Sequence, residues 1–199
     1  MFALLTRYRV KGQDNVPKQG PLMVVANHLS LADPPLLGIS IGREAFFMAK
    51  QELFSFKPLA GFIAGLGCFP VSRRRLDRRA LSRAVRVLEN DQVLVMFPEG
   101  SRSRNQRLKV AYPGAALIAS RLGVPILPVG ISGTEKLKGM AWPLRRPEVR
   151  IDFGAPFHLP PADGRLTKQR LAEFTDIIMG RIARQLPPKY HGHYAERKS

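Results

Sequence analysis

An imidazole and a carboxylate stand five residues apart at His28 and Asp33, in the run Val-Ala-Asn-His-Leu-Ser-Leu-Ala-Asp-Pro-Pro. A carboxylate that accepts the Nδ1 proton of a histidine leaves Nε2 free to take a proton from a hydroxyl, and it stabilises the imidazolium that results. The run offers no obvious protein nucleophile, so on this reading His28 activates a substrate alcohol directly. The competing reading is structural: His28 is a satisfied turn residue and Asp33 caps the helix that Pro34-Pro35 begins. A carboxylate has two oxygens, enough to cap a helix and orient a histidine together.

A second constellation is Phe97-Pro98-Glu99-Gly100-Ser101-Arg102-Ser103-Arg104, directly after the apolar β-branched run from Val93. Strand ends are where α/β sheets place ligands, and Gly100 permits close backbone approach. Glu99 could receive a hydroxyl there, and Arg102 could grip phosphate oxygens in a bidentate contact. On its own the segment would read as an ordinary charged loop.

Strands that present these turns are expected at Leu22–Ala26, Ala45–Ala49, Gly67–Val71, Val93–Phe97, Pro125–Gly130 and Glu148–Phe153. Helices are expected at the Pro34-Pro35 start, over Arg78–Glu89 with Ala80, Leu81, Ala84, Val85 and Leu88 inward, over Tyr112–Leu122 closed by Gly123, and over Thr167–Leu186. Such alternation implies an α/β fold: a single-domain mixed, largely parallel sheet covered by helices. The domain is expected to occupy residues 1–186, with 187–199, including His191 and His193, a loose polar tail. Two histidines without a scaffold make a poor metal site, and no metal site is expected.

With 199 residues and 45% apolar composition, the chain can build a proper core. Its single cysteine, Cys68, excludes an internal disulfide and suits a buried apolar position. A net charge of +17 demands an anionic partner: nucleic acid, a phospholipid surface or a phosphorylated small molecule. Arginines recur between Arg73 and Arg86 and again from Arg102 to Arg107, each group following an apolar run. No uncharged stretch reaches the ~18 residues needed to cross a bilayer, and the first residues do not read as a signal peptide.

Four segments in order, Asn27-His28 through Asp33, Gly67 through Arg73, Phe97 through Arg104, and Val124-Pro125-Ile126-Leu127-Pro128-Val129, carry a resemblance to the glycerolipid acyltransferases. Within these the chain resembles the 1-acyl-sn-glycerol-3-phosphate (lysophosphatidic acid) acyltransferases over about residues 8 to 155. The resemblance implies that His28 is the base that deprotonates the lysophospholipid hydroxyl and that Asp33 orients it. It implies substrate-binding roles for Asn27, Arg73, Glu99, Gly100, Ser101 and Arg102, with Lys109 as a similar lysine after the third block, and an acyl-donor or structural role for Pro125. It implies lysophosphatidate and acyl-CoA or acyl carrier protein as substrates, no other cofactor, and phosphatidic acid as product. Relatives often carry hydrophobic helices ahead of the first block, whereas fewer than 30 residues precede His28 here. The expectation is therefore peripheral attachment to an anionic membrane on its cytoplasmic face. The Leu53–Phe69 segment would then touch membrane, acyl chain or core, and nearby cations would add ~1 kcal/mol each.

Two rivals come from the residues themselves. Gly38-Ile39-Ser40-Ile41-Gly42 fits the G-x-S-x-G pattern of serine hydrolases, yet that elbow should join a strand to a helix, and Ser40 follows a helix start. The charge also suits a nucleic-acid-binding protein, but the sequence has no recognisable binding module and only 8% aromatics to stack bases, so no nucleic acid is expected.

Overall fold

The computed structural model describes all residues except 1–5, 56, 66, 73–76, 140–141, 162–165 and 196–199. Seven strands form one sheet: β1 (Arg7–Lys11), β2 (Leu22–Ala26), β3 (Ala45–Lys50), β4 (Cys68–Val71), β5 (Val93–Met96), β6 (Ile126–Ser132) and β7 (Glu148–Phe153), in the order β1-β7-β6-β2-β5-β3-β4. Neighbouring strands from β6 to β4 are parallel. The antiparallel β6–β7 pair reverses the last two strands at one edge. This is the mixed, largely parallel sheet expected.

Strand alternation divides the core between the two faces of the sheet. Met23, Val25, Leu94 and Ile126 point to one face, under helices α3 (Arg78–Glu89), α4 (Gly114–Leu122) and α6 (Lys168–Ala183). Leu22, Val24, Val93, Val95, Leu127 and Val129 point to the other, where Leu36, Leu37 and Ile41 of helix α1 (Asp33–Ile41) cover them. Every residue of β2 and β6 is buried, as central strands covered on both faces require.

The helix starts follow local chemistry. Asp77 Oδ1 accepts the Ala80 N–H at 3.0 Å to cap α3, and Thr167 Oγ1 accepts the Arg170 N–H at 3.1 Å to cap α6. Gly123 closes α4 in the left-handed conformation, φ 61°. Helix α4 begins at Gly114 rather than Tyr112, because Pro113 stands at its N-cap. Helix α6 ends at Ala183, short of Leu186.

Three features depart from the sequence expectations. Strand β1 was not anticipated: its alternately exposed side chains, Arg-Tyr-Arg-Val-Lys, mark a charged edge strand without an apolar run. The glycine-rich segment after Phe54 contains helix α2 (Lys57–Gly65). Phe54 and Ile63 of that region pack half-buried on the α1-side core beside buried Cys68, and Phe69 is buried on the other face, so these four residues serve the core. The tail is docked rather than loose as far as Ala195. Turns at Pro188–Tyr190 and Gly192–Tyr194 bury both tyrosines, while the Leu108 N–H donates to the Tyr190 carbonyl at 2.8 Å. A short helix α5 (Trp142–Arg145) precedes β7.

Candidate functional site

Strands β2 and β5 are adjacent and parallel, with Val25 beside Met96, so the Asn27-His28 turn and the Phe97–Lys109 loop leave the same rim of the sheet side by side. The rim is the carboxyl end of the parallel strands, where an α/β sheet opens a crevice.

Asp33 is fully buried in the first turn of α1 and directs one oxygen at the turn before it. Asp33 Oδ2 accepts His28 Nδ1–H at 2.8 Å, Leu29 N–H at 2.6 Å and Ser30 N–H at 2.7 Å. This corrects the capping expectation: the N-cap is Ala32, and no side-chain cap bond forms. The carboxylate closes the loop behind it instead. Asp33 Oδ1 is buried with no hydrogen-bond partner among the described residues. The acceptor at Nδ1 fixes the neutral tautomer with Nε2 unprotonated. The imidazole is 13% exposed and stacks on Phe97, ring centroids 4.4 Å apart.

Glu99 holds the His28 backbone. Its Oε1 accepts the His28 N–H at 3.0 Å and its Oε2 the Lys109 N–H at 3.1 Å, while the residue is only 2% exposed. Burial pushes its carboxyl up to about 7, against the opposing pull of those two N–H donors and the Lys109 charge. Each oxygen accepts a backbone N–H, so Glu99 bridges the two loops from an almost fully buried position. The Ser103 N–H adds a bond to the His28 carbonyl at 2.8 Å.

Asn27 is tied to backbone as well. Its side chain donates to the Ile131 carbonyl at 2.8 Å and accepts the Ile131 N–H at 2.7 Å, and it is 1% exposed. The amide thus prolongs the β2–β6 ladder past the last regular pair. Pro125 lies at the opposite end of the sheet: the Met23 N–H donates to its carbonyl, four residues before His28's neighbour Asn27, or ~13 Å along the strand. That separation removes it from the rim that holds His28. Arg73 lies outside the described residues.

Ser101, Arg102 and Lys109 do gather at the rim. Lys109 Nζ donates to the Ser101 carbonyl at 2.8 Å and to Ser101 Oγ at 2.6 Å, and the Arg102 side chain is exposed. Gly100 makes the turn possible, with φ 65° and a Cβ position only 2.8 Å from the Tyr112 ring. Ser40 sits within α1 and donates to the Leu36 carbonyl at 2.7 Å, so it is no nucleophile elbow. Cys68 is buried at the start of β4, and burial raises its thiol pKa. Among the described residues, no serine or cysteine side chain is bonded to His28, and no group of three His, Cys, Asp or Glu side chains could hold a metal.

Sheet, rim and paired His28–Asp33 together define an α/β protein with a polar site at the carboxyl ends of β2 and β5. The chain matches the family model described as Acyltransferase over residues 7–132, and it belongs to that family. It is 35% identical over 149 residues to a 1-acyl-sn-glycerol-3-phosphate acyltransferase of Streptococcus pneumoniae, covering 73% of this chain and 54% of that protein. It is 34% identical over 132 residues to a lyso-ornithine lipid O-acyltransferase of Pseudomonas aeruginosa, covering 65% of this chain and 49% of that protein. The chain thus spans about half the length of these curated relatives. The crystal structure of the 1-acyl-sn-glycerophosphate acyltransferase PlsC of Thermotoga maritima superposes with a TM-score of 0.66 at 29% identity, covering 89% of this chain and 71% of that one.

Proposed function

We propose that the chain is an O-acyltransferase that moves a fatty acyl group from a thioester to the free hydroxyl of 1-acyl-glycerol-3-phosphate, giving phosphatidic acid. The observation that carries this reading is the buried Asp33 carboxylate on His28 Nδ1 at 2.8 Å, with Nε2 left without a partner among the described residues. In the reaction His28 Nε2 takes the acceptor hydroxyl proton as the oxygen attacks the thioester carbonyl. The tetrahedral intermediate then collapses, the carbon–sulfur bond breaks, and the imidazolium returns its proton to the departing thiolate. Asp33 stabilises the imidazolium. The attacking oxygen belongs to the substrate, in keeping with the lack, among the described residues, of a serine or cysteine side chain bonded to His28.

Lys109, Ser101 and Arg102 are assigned to the acceptor phosphate. They share a loop with Glu99, whose backbone bridge keeps that loop in register with His28. The exposed apolar residues Leu31, Val110 and Tyr112 lie on the same two loops, beside Arg102, Arg104 and Arg107. Apolar side chains among cations suit a mouth that faces an anionic membrane, which we place at the cytoplasmic face with peripheral attachment. No helix among the described residues is long and apolar enough to cross a membrane.

The relative named as a lyso-ornithine lipid O-acyltransferase motivates a second acceptor in the test. Purified wild type and His28→Ala are incubated with an acyl thioester and either lysophosphatidate or lyso-ornithine lipid, and products are read by mass spectrometry. Phosphatidic acid from wild type and none from His28→Ala is expected. Near wild-type turnover by folded His28→Ala refutes the base assignment, and exclusive use of lyso-ornithine lipid refutes the phosphate acceptor.

A further inference from the structure

A second concavity opens on the same rim, on the far side of β6 from His28. Strand β6 runs parallel to β2, and its end continues through Ser132 into the turn Thr134–Lys136. Strands β7 and β1 run the other way, so their starts, Glu148 and Arg7, lie at this same rim. Between them is a cleft of about 530 Å³, within the range of small-ligand sites. Counting from β2 to β1, it lies within three strand spacings of the His28 strand, roughly 14 Å. A run of hydrogen bonds connects the two places: Glu99 holds the Lys109 N–H, the adjoining Leu108 N–H donates to the Tyr190 carbonyl, and the Tyr190 hydroxyl donates to Glu135 Oε1 in the cleft wall at 2.8 Å.

The lining selects a ligand chemistry. Lys136, Lys138, Arg145 and Arg146 border the cleft, and among the described residues none of them has an ion pair or a side-chain hydrogen bond. The acid beside them, Glu148, is already occupied by Arg150 at 2.8 Å and Arg9 at 3.4 Å. Pro147 is its one apolar lining residue among those described, which is unfit for an acyl chain. Arg146 is held at φ 41°, a left-handed conformation that a non-glycine residue rarely takes. Glu135 is 6% exposed, and its Oε2 has no hydrogen-bond partner among the described residues. Four free cations around one unsatisfied buried acceptor suit a ligand with several phosphates and a hydroxyl or amine donor.

We propose that this cleft receives the phosphorylated adenosine end of coenzyme A, while the pantetheine arm carries the acyl thioester along the rim to His28. The proposal rests on the acyl-transfer reading and makes it more specific, naming acyl-CoA as a donor. The adenosine phosphates meet Lys136, Lys138, Arg145 and Arg146, and a ribose hydroxyl or the adenine amine meets Glu135. An acyl carrier protein would instead need a broad protein interface, on the order of 1,000 Å² or more, and a concave pocket is not that surface.

The test uses two double variants, Arg145→Gln/Arg146→Gln and Lys136→Gln/Lys138→Gln. A charge-matched control is Arg121→Gln/Arg184→Gln, exposed residues on α4 and just beyond α6. Calorimetry with adenosine 3′,5′-bisphosphate reads the cleft without any turnover. Each cleft variant is expected to weaken that binding about tenfold or more and to raise KM for acyl-CoA in proportion, with kcat and the lysophosphatidate KM unchanged. The control is expected to behave as wild type. Inorganic phosphate and vesicles containing phosphatidylglycerol are the comparison probes. Unchanged nucleotide binding and acyl-CoA KM in both cleft variants overturns the proposal, as does a loss confined to vesicle binding or equal to that of the control. Nucleotide binding that depends on the cleft in a protein lacking acyl transfer would sink the reaction and leave the cleft assignment standing.

Discussion

Replacing Asp33 by asparagine keeps the shape of the buried side chain and removes its charge. Three donors converge on Oδ2, so the asparagine carbonyl must occupy that position, since an amide nitrogen there would face His28 Nδ1–H and two backbone N–H groups. The amide nitrogen then replaces Oδ1, which is buried and has no partner among the described residues, at a cost of ~1–3 kcal/mol. At about 2–4 °C per kcal/mol for a chain of this size, the melting temperature should fall by roughly 2–12 °C. The effect on catalysis should be larger. Imidazolium and carboxylate charges about 4 Å apart, at an effective dielectric of about 20, attract by ~4 kcal/mol. Neutral Nδ1–H keeps its hydrogen bond to the amide oxygen, so the loss falls on the protonated state and kcat should drop about 10³-fold. The assay is single-turnover acyl transfer at 20 °C, with circular dichroism confirming that the variant is folded. A folded Asp33→Asn enzyme within tenfold of wild-type kcat would refute the claim that this carboxylate stabilises an imidazolium.

Asn27→Ala strands a buried N–H and C=O of Ile131 and should cost ~2–4 kcal/mol, read as a lower urea midpoint, while the KM of the surviving enzyme stays at the wild-type value. Glu99 titrates near 7 in the fold against an ordinary value of 4.5, so the folded state holds its proton more tightly than the unfolded chain does. Its contribution is then full below about pH 4.5 and is lost as pH rises through about 7, worth up to ~3 kcal/mol. Stability measured at pH 5 and pH 8 should fall more in wild type than in Glu99→Gln, and identical pH dependence in the two would show that Glu99 does not titrate in this way. Tyr190→Phe removes the partner of buried Glu135 Oε1 and should lower stability by ~1–3 kcal/mol while raising the lysophosphatidate KM, because the tail it anchors also holds Leu108 beside Lys109. An unchanged acceptor KM in that variant would mean the tail does not position the loop.

Much of the fold could be read from the sequence because central parallel strands are short apolar runs. Leu22–Ala26 and Glu148–Phe153 fall where expected, as does the amphipathic Arg78–Glu89 helix. Strand β1 could not be read this way, since an edge strand that half-buries only alternate residues beside charged ones has no such signal. The docked tail escaped for a related reason: its packing rests on Tyr190 and Tyr194 and on backbone bonds to Leu108, none of which forms a periodic pattern. At the site, the His28–Asp33 pair could be read because its partners are five residues apart. The backbone bonds of Asn27 and Glu99 could not be read, because their partners are 104 and 71 residues away. Polar residues beside a motif look like ligand contacts until the strand order shows the backbone groups they satisfy.

That strand order also brings a second buried carboxylate, Glu99, to the turn that Asp33 already holds. Asp33 gathers the side chain of His28 with the amides after it, and Glu99 gathers the amide of His28 with that of Lys109. The imidazole and the loop with the rim cations are thereby tied to one carboxylate each, with His28 common to both. Neither loop can shift by an ångström without breaking a bond to a buried oxygen. For a reaction whose nucleophile arrives with the substrate, that rigidity matters more than for one with a protein nucleophile. The distance from the base to the attacking oxygen is then set by where the phosphate is held, and a misplacement of 1 Å costs on the order of 10²-fold in rate. On the proposed mechanism Glu99 would therefore act through geometry, fixing the spacing between His28 and the loop of cations proposed to hold the acceptor.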